Sequence, residues 1–349
     1  MDERLTNSRL ERAIELMPKV ELHVHFEGSI PGDVIEQLAQ KNGVALEGRN
    51  RANPALKYGH LINFLEAYRL RCRCLSTRAD FERAAAAVLH NLREQSVRYA
   101  EITIAPTMHR LNNVPMKEVM TGLDAAARRA RVHGEFDVRF IFDIGRQFGV
   151  EHAWQTLREA VLYMDLGVVA IGLGGDELHY SPEIYAEHFA TAKRQGLHVV
   201  AHAGEVGGPA SIWGAVKSLG AERIGHGIGA RGDERLLEHL KVENVAVEMC
   251  PTSNVETGAV RSYEEHPLPE FLHRGLTVSL NSDDPAMFGV SLTEEYKLSS
   301  RLLGLSWDDI KTLSFNSVRG SFLPDVFKQD LLEEIQGAIS KIESRENLT

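Results

Sequence analysis

The chain has 349 residues, 43% of them hydrophobic and 25% charged, with a formal net charge of -10 at pH 7. That size and balance fit one soluble α/β barrel domain over residues 1–349 and exclude a disordered chain. The acidic surplus speaks against a nucleic-acid partner, because gripping a phosphate backbone takes Lys and Arg gathered on one face.

The opening MDERLTNSRLER carries charges of both signs without the apolar run of a signal peptide, so the expected location is the cytoplasm. No stretch of eighteen apolar residues follows, and no membrane partner is expected. The first strand is expected near residues 20–25. After it, residues 31–96 hold at least three helical stretches, INFLEAYRLRCRCL and DFERAAAAVLHNLRE among them, which read as an insertion over a barrel mouth. Between them GRNRANPALKYG reads as a mobile loop. Seven further strands are expected near residues 97–105, 136–143, 167–172, 197–202, 222–226, 244–249 and 276–281, and the tail from Pro324 is helical and charged.

The strand runs VRYAEITIA, VVAIGL and LHVVAH are apolar at nearly every position, which suits a parallel sheet covered on both faces. Eight such strands alternating with helices predict an α/β fold, a (β/α)8 TIM barrel with a helical insertion after the first strand. A doubly wound open sheet is the rival, but no Gly-rich phosphate-binding turn links a strand to a helix. Cys72, Cys74 and Cys250 are too few and too unevenly spaced for a disulfide framework and are expected as buried thiols.

ELHVHFEGS places His23 and His25 two apart on a strand, so both imidazoles face the same side. His202 ends the fifth strand in VVAHAGE, His226 the sixth in RIGHG, and Asp283 and Asp284 the eighth in VSLNSDDP. Those are the strand ends where barrel enzymes keep their active sites. Three nitrogens and one carboxylate from His23, His25, His202 and Asp283, with a position left for water, suit one zinc ion. Glu205, three residues beyond His202, is placed as a proton donor, and His226 either orients the water or takes its proton. A binuclear centre would take a bridging lysine from a middle strand, and there is none between Lys117 and Lys193. Glu101 and Asp143 are left outside the site as hydrogen-bonded structural carboxylates. The remaining histidines, His109, His188 and His266 among them, are expected at the surface.

ELHVHFEGS, GLGGDE, HAGE, RIGHG, CPTSN and NSDDP in this order resemble the adenosine deaminases of the amidohydrolase superfamily over nearly the whole chain. The resemblance implies zinc on His23, His25, His202 and Asp283, and protonation of a purine ring nitrogen by Glu205. It also implies a role for His226 beside the attacking water, and substrate contacts at His25, Glu27, Gly175 and Asp284. The implied reaction removes the 6-amino group of a purine nucleoside as ammonia. Glu27 stands where many adenosine deaminases have the Asp that contacts ribose, and adenine deaminases more often carry Glu there. SIWGAVKSLGAERIGHG and EMCPTSNVETGAV are similar to the aminodeoxyfutalosine deaminases of menaquinone synthesis. Adenosine and 6-amino-6-deoxyfutalosine are therefore the expected substrates, with adenine the alternative. CPTSN and GLGGDE argue against deamination of cytosine or a pterin, and the full set of groups against a purely binding role. The oligomeric state is not written in these motifs.

Overall fold

Eight parallel strands follow one another around a single sheet in chain order: β1 (Lys19–His25), β2 (Val97–Ile104), β3 (Asp137–Gly145), β4 (Val168–Gly174), β5 (His198–Ala203), β6 (Arg223–His226), β7 (Ala246–Met249) and β8 (Val278–Leu280). The computed structural model describes residues 3–46, 61–131, 136–346 and 348, with backbone alone at 3–7 and 61–63. Their near-continuous burial, as in all seven residues of β4 but one, is what a sheet wrapped by helices requires.

Closure happens at the β8–β1 seam, through the bridge Val24–Asp283 and the Asn281 side chain, whose Oδ1 accepts from the amides of Leu22 (3.0 Å) and His23 (3.2 Å). Closing the ring brings the strand ends together at one rim.

All eight strands lie where the apolar runs predict them, and the two trimmed ones have local causes. Asn244 adopts a left-handed backbone (φ +52), a turn that delays β7 to Ala246. The Leu276 amide still bonds back to Phe271 of the preceding helix, so β8 begins at Val278.

The expected insertion is present as helices Gly32–Lys41, Leu61–Arg73 and Arg78–Glu94, while the GRNRANPALKYG stretch falls outside the described residues. A capping box between Thr77 and Asp80 starts the last of these helices. Phe64, Ala67, Tyr68 and Cys72 on the middle helix pack with Met287 and Phe288 beyond β8, which seats the insertion on the mouth. The tail helix Asp325–Glu346 buries Leu331, Ile335, Ile339 and Ile342, a stripe at helical spacing. All three cysteines are free and buried, as expected. Among the described residues no helix is long and apolar enough to cross a membrane.

Candidate active site

His23 and His25 leave β1 on one side, His202 stands at the end of β5, and Asp283 follows β8 across the seam; their ligand atoms all lie within 4.8 Å of one another. His25 Nε2 is 3.2 Å from His202 Nε2 and 3.3 Å from Asp283 Oδ1, which in turn is 3.5 Å from His23 Nε2. A tetrahedron with zinc–nitrogen arms of about 2.0–2.1 Å has edges of about 3.3 Å, so these separations fit a tetrahedral cation.

The donor chemistry fits as well. His23 Nε2 is buried without a hydrogen-bond partner among the described residues. Burial alone would lower His23 and His25, yet the surrounding carboxylates, Asp283 and Glu248 for His23 and Asp284 and Asp283 for His25, raise them to about 10 and about 9. The pocket thus calls for positive charge, and the four side chains form a buried His/His/His/Asp cluster suited to a single zinc ion.

The backbone is bent to aim these groups. His226 and Asp283 both sit at φ +62, a left-handed conformation uncommon outside glycine. Neighbouring glycines leave the room: a Cβ at Gly28 would overlap the Asp284 carboxylate, and one at Gly225 would come within 2.6 Å of His23 Cε1.

Beneath the cluster runs a buried chain of charge. Glu248 Oε2 accepts from His23 Nδ1 at 2.8 Å, and its Oε1 pairs with the Arg223 guanidinium. Arg223 also meets Glu101 at 2.5 Å and lies over the Phe322 ring at 3.8 Å. Glu101 in turn accepts from the Tyr99 hydroxyl (2.9 Å) and the Phe322 amide (2.6 Å), the structural role expected of it. His23 is thereby held with Nε2 toward the cluster.

Above the cluster is a cavity lined among others by His25, Gly175, His202, Glu205, His226, Asp283 and Asp284, with Phe64, Leu65 and Tyr68 of the insertion. Burial raises Glu205 above the ordinary carboxylate value, and its Oε2 lies 3.6 Å from His226 Nε2 while Thr257 donates to its Oε1 at 3.4 Å. Burial, and then the neighbouring Asp283, holds Asp284 well above the carboxylate range. Burial thus shifts two carboxyls that face this space toward the protonated form, the form in which an acid gives a proton.

A family model described as Adenosine deaminase matches residues 18–338. The chain belongs to the adenosine deaminase family. It is 36% identical to the aminodeoxyfutalosine deaminase of Streptomyces avermitilis over 335 residues, covering 95% of this chain and 93% of that protein. It is 33% identical to the adenosine deaminase of Clostridium kluyveri, covering 96% and 98% of the two chains. The crystal structure of an adenine deaminase from Arthrobacter aurescens superposes with a TM-score of 0.88 at 32% identity, covering 93% of this chain and 99% of that one.

In this member of the family the expected site residues come together with one exception. Glu27 is fully buried and does not line the cavity: its Oε1 accepts from His109 Nε2 (2.6 Å) and the Ala105 amide (3.3 Å), and its Oε2 from the Tyr68 hydroxyl (2.6 Å). Burial would raise it, but His109 and Tyr68 outweigh that and hold it below the ordinary value. Tyr68 and Ala105 take its place at the wall.

Other positions differ from the sequence reading. His109, His188 and His266 are buried rather than at the surface, each fixed by a partner far along or across the chain: Glu27, the Val150 carbonyl and Asn254. Asp143, read as structural, lines the cavity, and burial pushes it up to about 6. Glu177, the last residue of GLGGDE, was not singled out by spacing. Its carboxylate accepts from the Gly204, Val206 and Gly207 amides, the last two at 2.7 and 2.9 Å, and so grips the loop that carries Glu205. Arg146 similarly holds the His202 carbonyl. A polar side chain capping several loop amides is the signal that linked GLGGDE to HAGE, and it is readable only in three dimensions.

Proposed function

We propose that this chain hydrolyses a 6-aminopurine nucleoside, adenosine or 6-amino-6-deoxyfutalosine, consuming one water and releasing the 6-oxopurine nucleoside and ammonia. The observation that carries this reading is the convergence of the His23, His25, His202 and Asp283 cluster with the raised carboxyl of Glu205 on one cavity. Those four residues would hold a zinc ion, and the chemistry it would supply when bound is the acidification of a water to a pKa near 7.

The remaining work falls to the chain. Glu205, whose carboxyl burial shifts toward the protonated form, delivers a proton to the ring nitrogen beside carbon 6, so that the ring accepts the incoming oxygen. Asp284, whose carboxyl burial likewise shifts toward the protonated form, donates to the imidazole side of the purine, and the Gly175 amide meets the other edge of the ring. The Gly175 backbone (φ +89) has no space for a Cβ, which would overlap the Gln147 side chain, so only glycine fits there. His25 borders the base, and Phe64, Leu65 and Tyr68 cover the mouth and exclude water. Glu27 acts at the sugar end through Tyr68, by fixing the phenol as its donor.

Adenine is the second reading, favoured by that same residue: with both oxygens of Glu27 occupied, no carboxylate at this position is free for a ribose hydroxyl. Ammonia release from adenosine, aminodeoxyfutalosine and adenine, compared as kcat/KM on zinc-loaded protein, tests both. Preference for a nucleoside supports the first; preference for adenine replaces it; turnover of none refutes the reaction.

A further inference from the structure

We infer that His266 and Asn254 are positioning residues that fix the proton of His226 on Nε2, so that His226 serves the reaction as a hydrogen-bond donor and not as a base. Its catalytic half rests on the function proposed above; its structural half does not.

The direction of the relay follows from a group that can only donate. The Leu268 backbone amide lies 3.2 Å from His266 Nδ1, so that nitrogen accepts and the ring proton sits on Nε2. Burial lowers His266 to about 3, which agrees with a ring carrying a single proton. His266 Nε2 is 3.1 Å from the side-chain oxygen of Asn254, which accepts. The Asn254 side-chain nitrogen, which can only donate, is 3.0 Å from His226 Nδ1. His226 Nδ1 is therefore an acceptor, and its ring proton is left on Nε2. Reversing the polarity would require an N–H on His266 Nδ1 facing the N–H of Leu268, two donors with no acceptor between them. All three side chains are buried, so no solvent relieves such a mismatch.

His226 Nε2 is the nitrogen on the Glu205 side, 3.6 Å from Oε2, and His226 lines the cavity. An N–H there holds the oxygen that adds to the purine by donating to it, whereas a base would need a lone pair at that atom. The two residues that impose this are Asn254 of CPTSN and His266, 12 positions apart, the latter otherwise without a part in the site.

The test is nitrogen-15 NMR of histidine-labelled protein, metal-free and zinc-loaded, with the His226 signals assigned by their loss in His226→Gln. The expected spectrum shows a protonated Nε2 and an unprotonated Nδ1 in both forms; a proton on Nδ1 overturns the relay. Asn254→Asp puts acceptor-only oxygens against Nδ1, and a proton must then appear there; an Nδ1 that stays bare in the folded variant also overturns it. The wild-type spectrum decides even where the variant does not fold. For the catalytic half, His226→Gln keeps an N–H at the reach of Nε2 but takes up no proton, and at equal zinc content it should turn over at least about tenfold faster than His226→Ala. Equal rates in the two variants would refute the donor role. Because the spectrum is read without substrate, a failed deamination assay and a failed relay are separate results.

Discussion

Replacing Glu248 by Gln tests whether the charge chain beneath the cluster sets the hold on zinc. Both oxygens of Glu248 are in use, Oε2 on His23 Nδ1 at 2.8 Å and Oε1 on Arg223. Burial would raise its pKa, but Arg223 and the His23 bond outweigh burial and keep it ionised. A glutamine has the same shape and one oxygen fewer. If that oxygen stays with His23, the amide nitrogen faces the Arg223 guanidinium, donor against donor; if it turns to Arg223, the nitrogen faces the His23 N–H. One charge-assisted bond is lost either way, at about 1.5–3 kcal/mol, and His23 Nε2 becomes a weaker electron donor. Loss of such an outer partner lowers metal affinity about 10- to 100-fold, or about 1.4–2.8 kcal/mol, the same range reached from the other side. Competition with a chromophoric chelator gives the zinc Kd, and melting of the metal-free proteins checks that both fold. A Kd within about twofold of the parent in a folded variant would refute the idea that Glu248 acts on the metal through His23.

Zinc uptake should release protons. His23 and His25 are raised to about 10 and about 9 without a cation, so both are protonated at pH 7 and must give up a proton to bind. Affinity therefore falls as pH is lowered from 9, and calorimetry in buffers of different ionisation enthalpy should find about two protons released at pH 7; none released would show that the carboxylates do not charge these rings. The same shift makes protonation stabilise the metal-free fold fully below pH 6.5, a gain lost as pH rises through about 9 to 10. Glu205→Gln should keep zinc and fold but lose at least about a hundredfold in kcat, and a parent-like kcat would remove Glu205 from proton transfer. Gly225→Ala brings a methyl to 2.6 Å from His23 Cε1 and 3.3 Å from His202 Cα, so zinc per chain should drop in a protein that still folds; full occupancy at nanomolar free zinc would contradict the crowding. His202→Ala should lose the metal outright, as metal analysis after dialysis would show.

The barrel was legible because burial on both faces forces near-continuous apolar runs such as VVAIGL, and a parallel sheet leaves few other ways to arrange eight of them. The ligands were legible because barrel geometry assigns a place to every strand end, so His202 and Asp283 could be put at one rim without knowing what they touch. Glu248 was not, since its meaning lies in a contact with His23 across 225 positions. The pairing of His109 with Glu27 was not legible: a histidine in a short polar-looking helix reads as exposed, and the resemblance implies only a substrate contact for Glu27, whereas the two meet across 82 positions and satisfy each other. Asp143 is the converse case, a strand carboxylate whose wall position depends on Gly172 and Gly174 of β4 having no side chains in its way.

The seam between β8 and β1 carries a consequence for how the protein comes into being. The Asn281 oxygen that fastens the Leu22 and His23 amides reaches across 259 and 258 positions, and Asp283 lies on the same side of that join. A nascent chain emerging from the ribosome therefore holds His23 and His25 for most of its synthesis with no fourth donor to complete the set. The ring and the metal centre are finished in one late event, so that a truncated product lacking the last strand has neither.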